Sequence, residues 1–249
     1  MASPEPTGDE ELLPSTTVCD LREKPATRVQ IDADGDLCLK VGHNKCLTNP
    51  TENSEEHEHE YAVIYVVDSS TVSRSSPVWR KLLNGAFVES KRPDPDSGKE
   101  WMVELPDDDP KSMLIILNII HGYFCEVPEG GRETMPLHDL YRLTVLTDKY
   151  DLTLLLSPWA KTWVMHVNKR LDTSTTEDSA LAFCCLEKCL WVSWELGDEQ
   201  MFRKAYIHLV LNTRMTAGHL VGRDPMSQLF SRSNLEPSNV SGKYEFIHA

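Results

Sequence analysis

Positive charge is what this 249-residue chain is short of: 25 lysines and arginines stand against 39 aspartates and glutamates, a formal net charge of −14. Phosphate backbones are held through clustered Lys and Arg, so the charge argues against non-specific binding to DNA or RNA. The deficit is uneven, since residues 1–60 hold 14 acids against 5 bases and so carry −9 of the −14. Much of the charge therefore belongs to a solvated N-terminal region and not to a binding face. Long apolar runs are also missing. The richest, Met113 to Ile120, is broken by Asn118 and falls far short of the roughly 20 residues that a membrane-spanning helix needs. The opening MASPEPTGDEELLP has no basic segment followed by an apolar one, so no secretory signal is expected there. The seven cysteines, at 19, 38, 46, 125, 184, 185 and 189, are odd in number and sit mostly in apolar contexts. That pattern suits reduced, buried thiols in the cytoplasm or nucleus better than a disulfide framework. No glycine-rich phosphate loop, nucleophile elbow or HExxH run occurs, and no Ser, His and Asp spacing assigns a triad, so neither an enzyme nor a cofactor is expected.

What is present is a series of fold-making signals from Tyr61 to Phe124. Ala62 to Val67 is nearly all apolar and reads as a strand buried on both faces. Asp68 can cap a helix that starts at once, and Ser76-Pro77 supplies a cap and a first-turn proline for the next. On that second helix Val78, Trp79, Leu82 and Leu83 share a face, with Gly85 as the stop. From Trp101 to Leu105 the alternation of Trp, Val and Leu against Met and Glu predicts a strand. Asp109-Pro110 then opens a helix apolar almost all round, which belongs at the centre of a domain.

On either side the signals thin and then return. Residues 1–26 are predicted to be a disordered acidic tail. Arg28 to Ile31 and Asp36 to Val41 alternate around Asp34-Gly35, a hairpin signal. Polar loops are expected near 42–60 and 91–100. Leu137, Leu140, Tyr141, Thr144, Val145 and Asp148 give an amphipathic helix, and Leu152 to Trp163 another, interrupted at Pro158. Ser174-Thr175-Thr176-Glu177 offers a capping-box start for a helix carrying Ala180, Leu181, Cys184, Cys185, Trp191 and Trp194. Gly197 and Asp198 separate it from a helix carrying Phe202, Tyr206, Leu209 and Val210. Such a pair must pack on the preceding domain or on a partner. Residues 222–249, rich in Ser, Asn, Pro and Gly, are predicted to be a disordered tail.

The order strand, short helix, SPVWRKLL helix, Phe87-Val88-Glu89-Ser90, strand, ELPDDDP and Ile-rich helix resembles a BTB/POZ domain, most closely of the kind abundant in filamentous fungi. The resemblance runs from about Arg28 to Val167 and implies an α+β fold, a small mixed sheet capped by a cluster of helices, over residues 27–172. Residues 173–221 resemble the opening of a BACK-type extension, a C-terminal helical hairpin. The amphipathic helix that precedes the first strand in swapped BTB dimers has no counterpart, which puts such a dimer in doubt; some homo-oligomer through the BTB face remains among the implied partners. Members that dock onto a cullin scaffold carry an apolar residue, any residue, then Glu after this helix. By that resemblance Phe87 fills a pocket on the cullin and Glu89 makes a charged contact, and the chain is an adaptor in a ubiquitin ligase complex. The alternative is a transcriptional or chromatin cofactor that recruits proteins without touching DNA, since no zinc-finger spacing occurs.

Metal-binding readings fail on spacing. Asp32, Asp34 and Asp36 suggest a calcium loop, but Leu37 stands where the loop needs Gly and His43 where it needs Glu. His57 and His59 lack a second ligand pair, and Cys184, Cys185 and Cys189 would need two further ligands from elsewhere.

Overall fold

A computed structural model describes residues 26–43, 62–128, 135–173, 183–216 and 219–221. The expected tails at 1–26 and 222–249, most of the 42–60 loop, the capping box at 174–177 and the two histidines at 57 and 59 lie outside these residues, apart from Ala26, Gly42 and His43.

The chain is of mixed α+β class, as expected. Four strands, β1 (Thr27–Gln30), β2 (Leu37–Val41), β3 (Val63–Val67) and β4 (Met102–Leu105), form one sheet in the order β1-β3-β2-β4. Seven helices among the described residues follow or interrupt them: α1 (Ser69–Ser75), α2 (Pro77–Asn84), α3 (Pro110–Ile120), α4 (Leu137–Lys149), α5 (Ser157–Thr173), α6 (Phe183–Leu196) and α7 (Glu199–Asn212). A short antiparallel pair, β5 (Arg214–Thr216) and β6 (His219–Val221), comes last and had no forecast in the sequence.

The predicted hairpin of Arg28–Ile31 with Asp36–Val41 does not form. Strand β3 lies between the two, parallel to β1 with Val29 opposite Tyr65, and antiparallel to β2 with Leu39 opposite Tyr65. The turn between them is real, with Gly35 N–H donating to the Asp32 carbonyl at 3.2 Å. It is occupied by β3 from beneath: the amides of Ile31 and Asp32 both donate to the Val66 carbonyl. A Cβ on Gly35 would meet Val66 and Val67 at 2.9 Å, so glycine is needed for close approach to the third strand. The aspartates read as a candidate calcium loop have local partners. Asp32 accepts from the Asp34 amide, and Asp36 accepts from the amide and hydroxyl of Ser69, which ties the turn to the start of α1.

The expected caps are in place. Asp68 accepts from the Ser70 and Thr71 amides, Ser76 from Val78 and Trp79, Asp109 from Ser112 and Asp198 from Met201. Gly197, at φ 71°, ends α6 in the left-handed region. Pro158 begins a helix and does not interrupt one: a 3-10 turn over Thr153–Leu156 leads into α5 at Ser157, placing the proline in the first turn, where its missing N–H costs nothing.

The core is continuous from the sheet through all the later helices. Trp79, Met113, Leu117, Leu140, Leu143, Leu156 and Trp163 are fully buried, and Leu190, Val192, Met201 and Ala205 extend the same cluster into the C-terminal pair. That pair thus packs on the rest of the chain, through α6 against α4. Sandwiched between α3 and α6, α4 buries Leu143, Leu146 and Thr147 in addition to the face read from its periodicity, while Asp148 is exposed. Some residues assigned to buried faces are not there: Val78 is exposed on α2, Trp194 is 47% exposed on α6, and Leu114 and Ile115 are only half-buried on α3.

Tyr150, at the end of α4, joins these parts. Its ring stacks on Trp79 with centroids 4.4 Å apart, and its carbonyl accepts from the Ser76 hydroxyl that also caps α2. The phenol donates to Asp108, a buried carboxylate that Lys149 also pairs. Burial first, and then the charge of Asp108, drive the phenol's pKa upward, so it stays a donor at any ordinary pH. Replacing Tyr150 by Phe keeps the stack but takes one donor from the buried carboxylate, at a cost of about 1–3 kcal/mol. Urea unfolding is expected to show a lower midpoint with an unchanged slope; an unchanged midpoint would mean that Lys149 alone satisfies Asp108.

Candidate functional site

The segment after α2 begins with a close approach that leaves no room for a Cβ. Gly85 N–H donates to the Lys81 carbonyl at 2.9 Å, and a Cβ there would fall 2.2 Å from that same oxygen. The chain then makes a 3-10 turn over Val88–Ser90, in which the Phe87 carbonyl accepts from the Ser90 amide and hydroxyl and the Val88 carbonyl accepts from the Lys91 amide. Two further contacts hold it down. The indole N–H of buried Trp101 donates to the Glu89 carbonyl at 2.7 Å, and the Arg92 guanidinium lies 4.5 Å over the Trp101 ring while donating to Ser69. Sheet, α1 and turn are thereby locked together through Trp101 and Arg92.

This fixed backbone presents apolar side chains to water. Phe87 is 54% exposed and Val88 75% exposed, and Glu89 is half-buried with no hydrogen-bond or ion-pair partner for its carboxylate among the described residues. Both residues singled out from the sequence, Phe87 and Glu89, therefore lie on one short turn at the surface, and Phe87 does not pack into the core. Val88, which the sequence pattern treats as indifferent, is the most exposed apolar side chain of the turn. Its exposure could not be read from composition, because the period of a 3-10 turn this short leaves no pattern. Tyr123 and Phe124, beyond α3, are likewise exposed at 45% and 55%, the latter tilted against Trp159 at 6.1 Å.

Among the described residues, two of the clefts lie away from this turn, and neither gathers a catalytic set of groups. One, of about 340 Å³, lies beside α3 and is bounded by Leu114, Ile115, Met135 and Pro136, with Lys111, Glu126 and Asp139 at its edge. The other, of about 290 Å³, lies between α5 and the α6–α7 turn and contains Glu195, Asp198 and Lys161. Neither lining includes a Cys, or a Ser paired with a His. Among the described residues no group of three or more His, Cys, Asp or Glu is arranged to hold a metal ion. Cys189 is buried in α6, its thiol pushed up to about 12 by burial and then by Cys185, which makes it an unreactive core residue. No helix among the described residues is long and apolar enough to cross a membrane.

No protein-family model matches the chain, and no curated protein matches it.

The Glu195 carboxyl is raised above its ordinary range, by burial first and then by Asp148, with a hydroxyl hydrogen bond from Thr153 opposing. An acid whose folded pKa lies above its unfolded value contributes stability below the unfolded pKa and loses it as pH rises through the folded one. As pH rises through that acidic window, wild type is therefore expected to lose stability relative to Glu195→Gln. Thermal unfolding measured across that window checks this; identical slopes for the two proteins would contradict it.

Proposed function

We propose that this chain is a BTB/POZ-type protein–protein interaction module whose Phe87–Glu89 turn docks onto a cullin, making it an adaptor for a ubiquitin ligase. The observation that carries the proposal is the pinned, exposed turn. A phenylalanine and a valine held out to solvent on a rigid backbone lose little further entropy on binding, and anchors of this kind, a few aromatic or charged residues in a wider neutral patch, dominate many interfaces. Phe87 is the pocket-filling residue. Glu89, whose carboxylate has no partner among the described residues, is the charged contact. The order of elements supports the BTB reading: a mixed four-stranded sheet, two short capped helices, then α3 and α4 over the core. Substrate would be held by the C-terminal helical pair or the tails.

Because Phe87 is more than half exposed, its truncation leaves the fold intact while removing the anchor. With a purified cullin N-terminal domain, Phe87→Ala/Glu89→Ala is expected to bind at least about tenfold more weakly than wild type, with an unchanged unfolding midpoint. Equal binding by both, or none by wild type, would overturn the ligase reading and leave recruitment of other proteins, as in a transcriptional cofactor, as the better account. Size-exclusion chromatography with light scattering reads the second partner question. On the sequence expectation that no swapping helix precedes β1, the protein should elute as a monomer or weak dimer, and a tight dimer would contradict that.

A further inference from the structure

We propose that the cleft between α5 and the α6–α7 turn receives a single arginine side chain from a partner polypeptide. The cleft is separate from the Phe87 turn and does not depend on the cullin reading. Its volume, about 290 Å³, is at the lower end of ligand-sized sites and suits one long side chain. Its lining is mixed: Ala160, Val164, Leu196 and the 88% exposed Leu154 supply apolar surface, between the polar side chains of Thr153, Ser157 and Lys161. Acidic groups stand at the α6–α7 end, Glu195 and Asp198.

The two acids differ in what they are free to do. Asp198 is committed, its carboxylate accepting from the Met201 amide at 2.7 Å as the cap of α7. Glu195 is half-buried, accepts one hydroxyl hydrogen bond from Thr153 at 3.3 Å, and has no cation within ion-pair distance among the described residues. Lys161 contributes to the lining yet forms no ion pair with it, and Asp148 adds a like charge from α4. A carboxylate stripped of part of its water beside a second carboxylate gains most from an added cation.

The chemistry of the walls selects which cation. A metal ion would need more ligands than Glu195 can gather, since no three-ligand group exists among the described residues. An ammonium is compact and strongly hydrated. A guanidinium is planar, weakly hydrated and forked, so it can lie along Ala160 and Leu196 while donating twice to one carboxylate, with its methylene stem against Leu154. Lys161 at the edge opposes a run of basic residues. The match is an isolated arginine flanked by uncharged or acidic neighbours.

The test uses the full chain and three probes of the same design, N-acetyl-arginine amide, N-acetyl-lysine amide and N-acetyl-norleucine amide, followed by backbone amide NMR. Saturable shifts at Thr153, Leu196 and Gly197 are expected for the arginine probe, several-fold weaker binding for lysine and none for norleucine. Glu195→Gln is expected to abolish the shifts. Leu154→Ala, at an exposed position where folding is not at stake, is expected to weaken them. The Glu195 carboxyl should titrate at lower pH in the presence of the arginine probe. Equal shifts from norleucine, retention of binding by Glu195→Gln, or shifts only at other residues would overturn the proposal. So would line broadening that grows with protein concentration without any probe and vanishes in Glu195→Gln, which would give the cleft to a second copy of the chain.

Discussion

The contact between Trp79 and Tyr150 is the constraint on which the rest of the molecule depends. Trp79 is fully buried and belongs to α2, the short helix that delivers the chain to the exposed turn, whereas Tyr150 closes α4, the helix sandwiched between α3 and α6. Their stack is reinforced from both ends, by Ser76 donating to the Tyr150 carbonyl and by the phenol donating to buried Asp108. Aromatic stacking contributes about 0.5–1.5 kcal/mol beyond the area buried, and the hydrogen bonds to groups that water cannot reach raise the cost of any rearrangement. This residue pair and its polar neighbours therefore tie α2 to the helical layer, while Asn84 donating to Ser73 ties it to α1.

From α2 the constraint passes to the turn by a second set of contacts. Gly85 lets the backbone leave the helix at an angle that a Cβ would forbid, Trp101 ties the Glu89 carbonyl to the edge strand β4, and Arg92 clamps the exit through Trp101, Ser69 and Asp36. The exposed side chains of Phe87 and Val88 are thus carried on a backbone with few alternatives. Exposed apolar groups on a mobile loop would collapse onto the nearest apolar surface. Here the backbone's own hydrogen bonds hold them outward, as the proposed docking role requires.

Much of the local structure was legible in the sequence because it is written in short-range chemistry. Asp68, Ser76-Pro77, Asp109-Pro110 and Gly197-Asp198 each announce a helix boundary by a mechanism that operates within four residues, and each boundary stands where its signal placed it. The errors lie where distant segments compete. Arg28–Ile31 and Asp36–Val41 carry a sound local hairpin signal, but β3, which is more apolar than either, takes the space between them and pairs with both. On α4 a single-face pattern underestimates burial because the helix has neighbours on two sides. Phe87 and Glu89 could be named from the sequence, whereas their exposure, the anchoring role of Trp101 and the Glu195 cleft depend on contacts across 12 to 42 residues of chain.

The central claim, that a rigidly held turn forms the contact, is tested most directly by loosening the turn without touching the residues that make the contact. Trp101→Phe keeps an aromatic ring in the core but removes the indole N–H that holds the Glu89 carbonyl, leaving Phe87, Val88 and Glu89 chemically unchanged. Calorimetric titration with a cullin N-terminal domain is expected to show weaker binding by Trp101→Phe than by wild type, with the loss carried in a less favourable entropy. Equal affinity for the two proteins would contradict the account, because the turn would then owe nothing to being held in place.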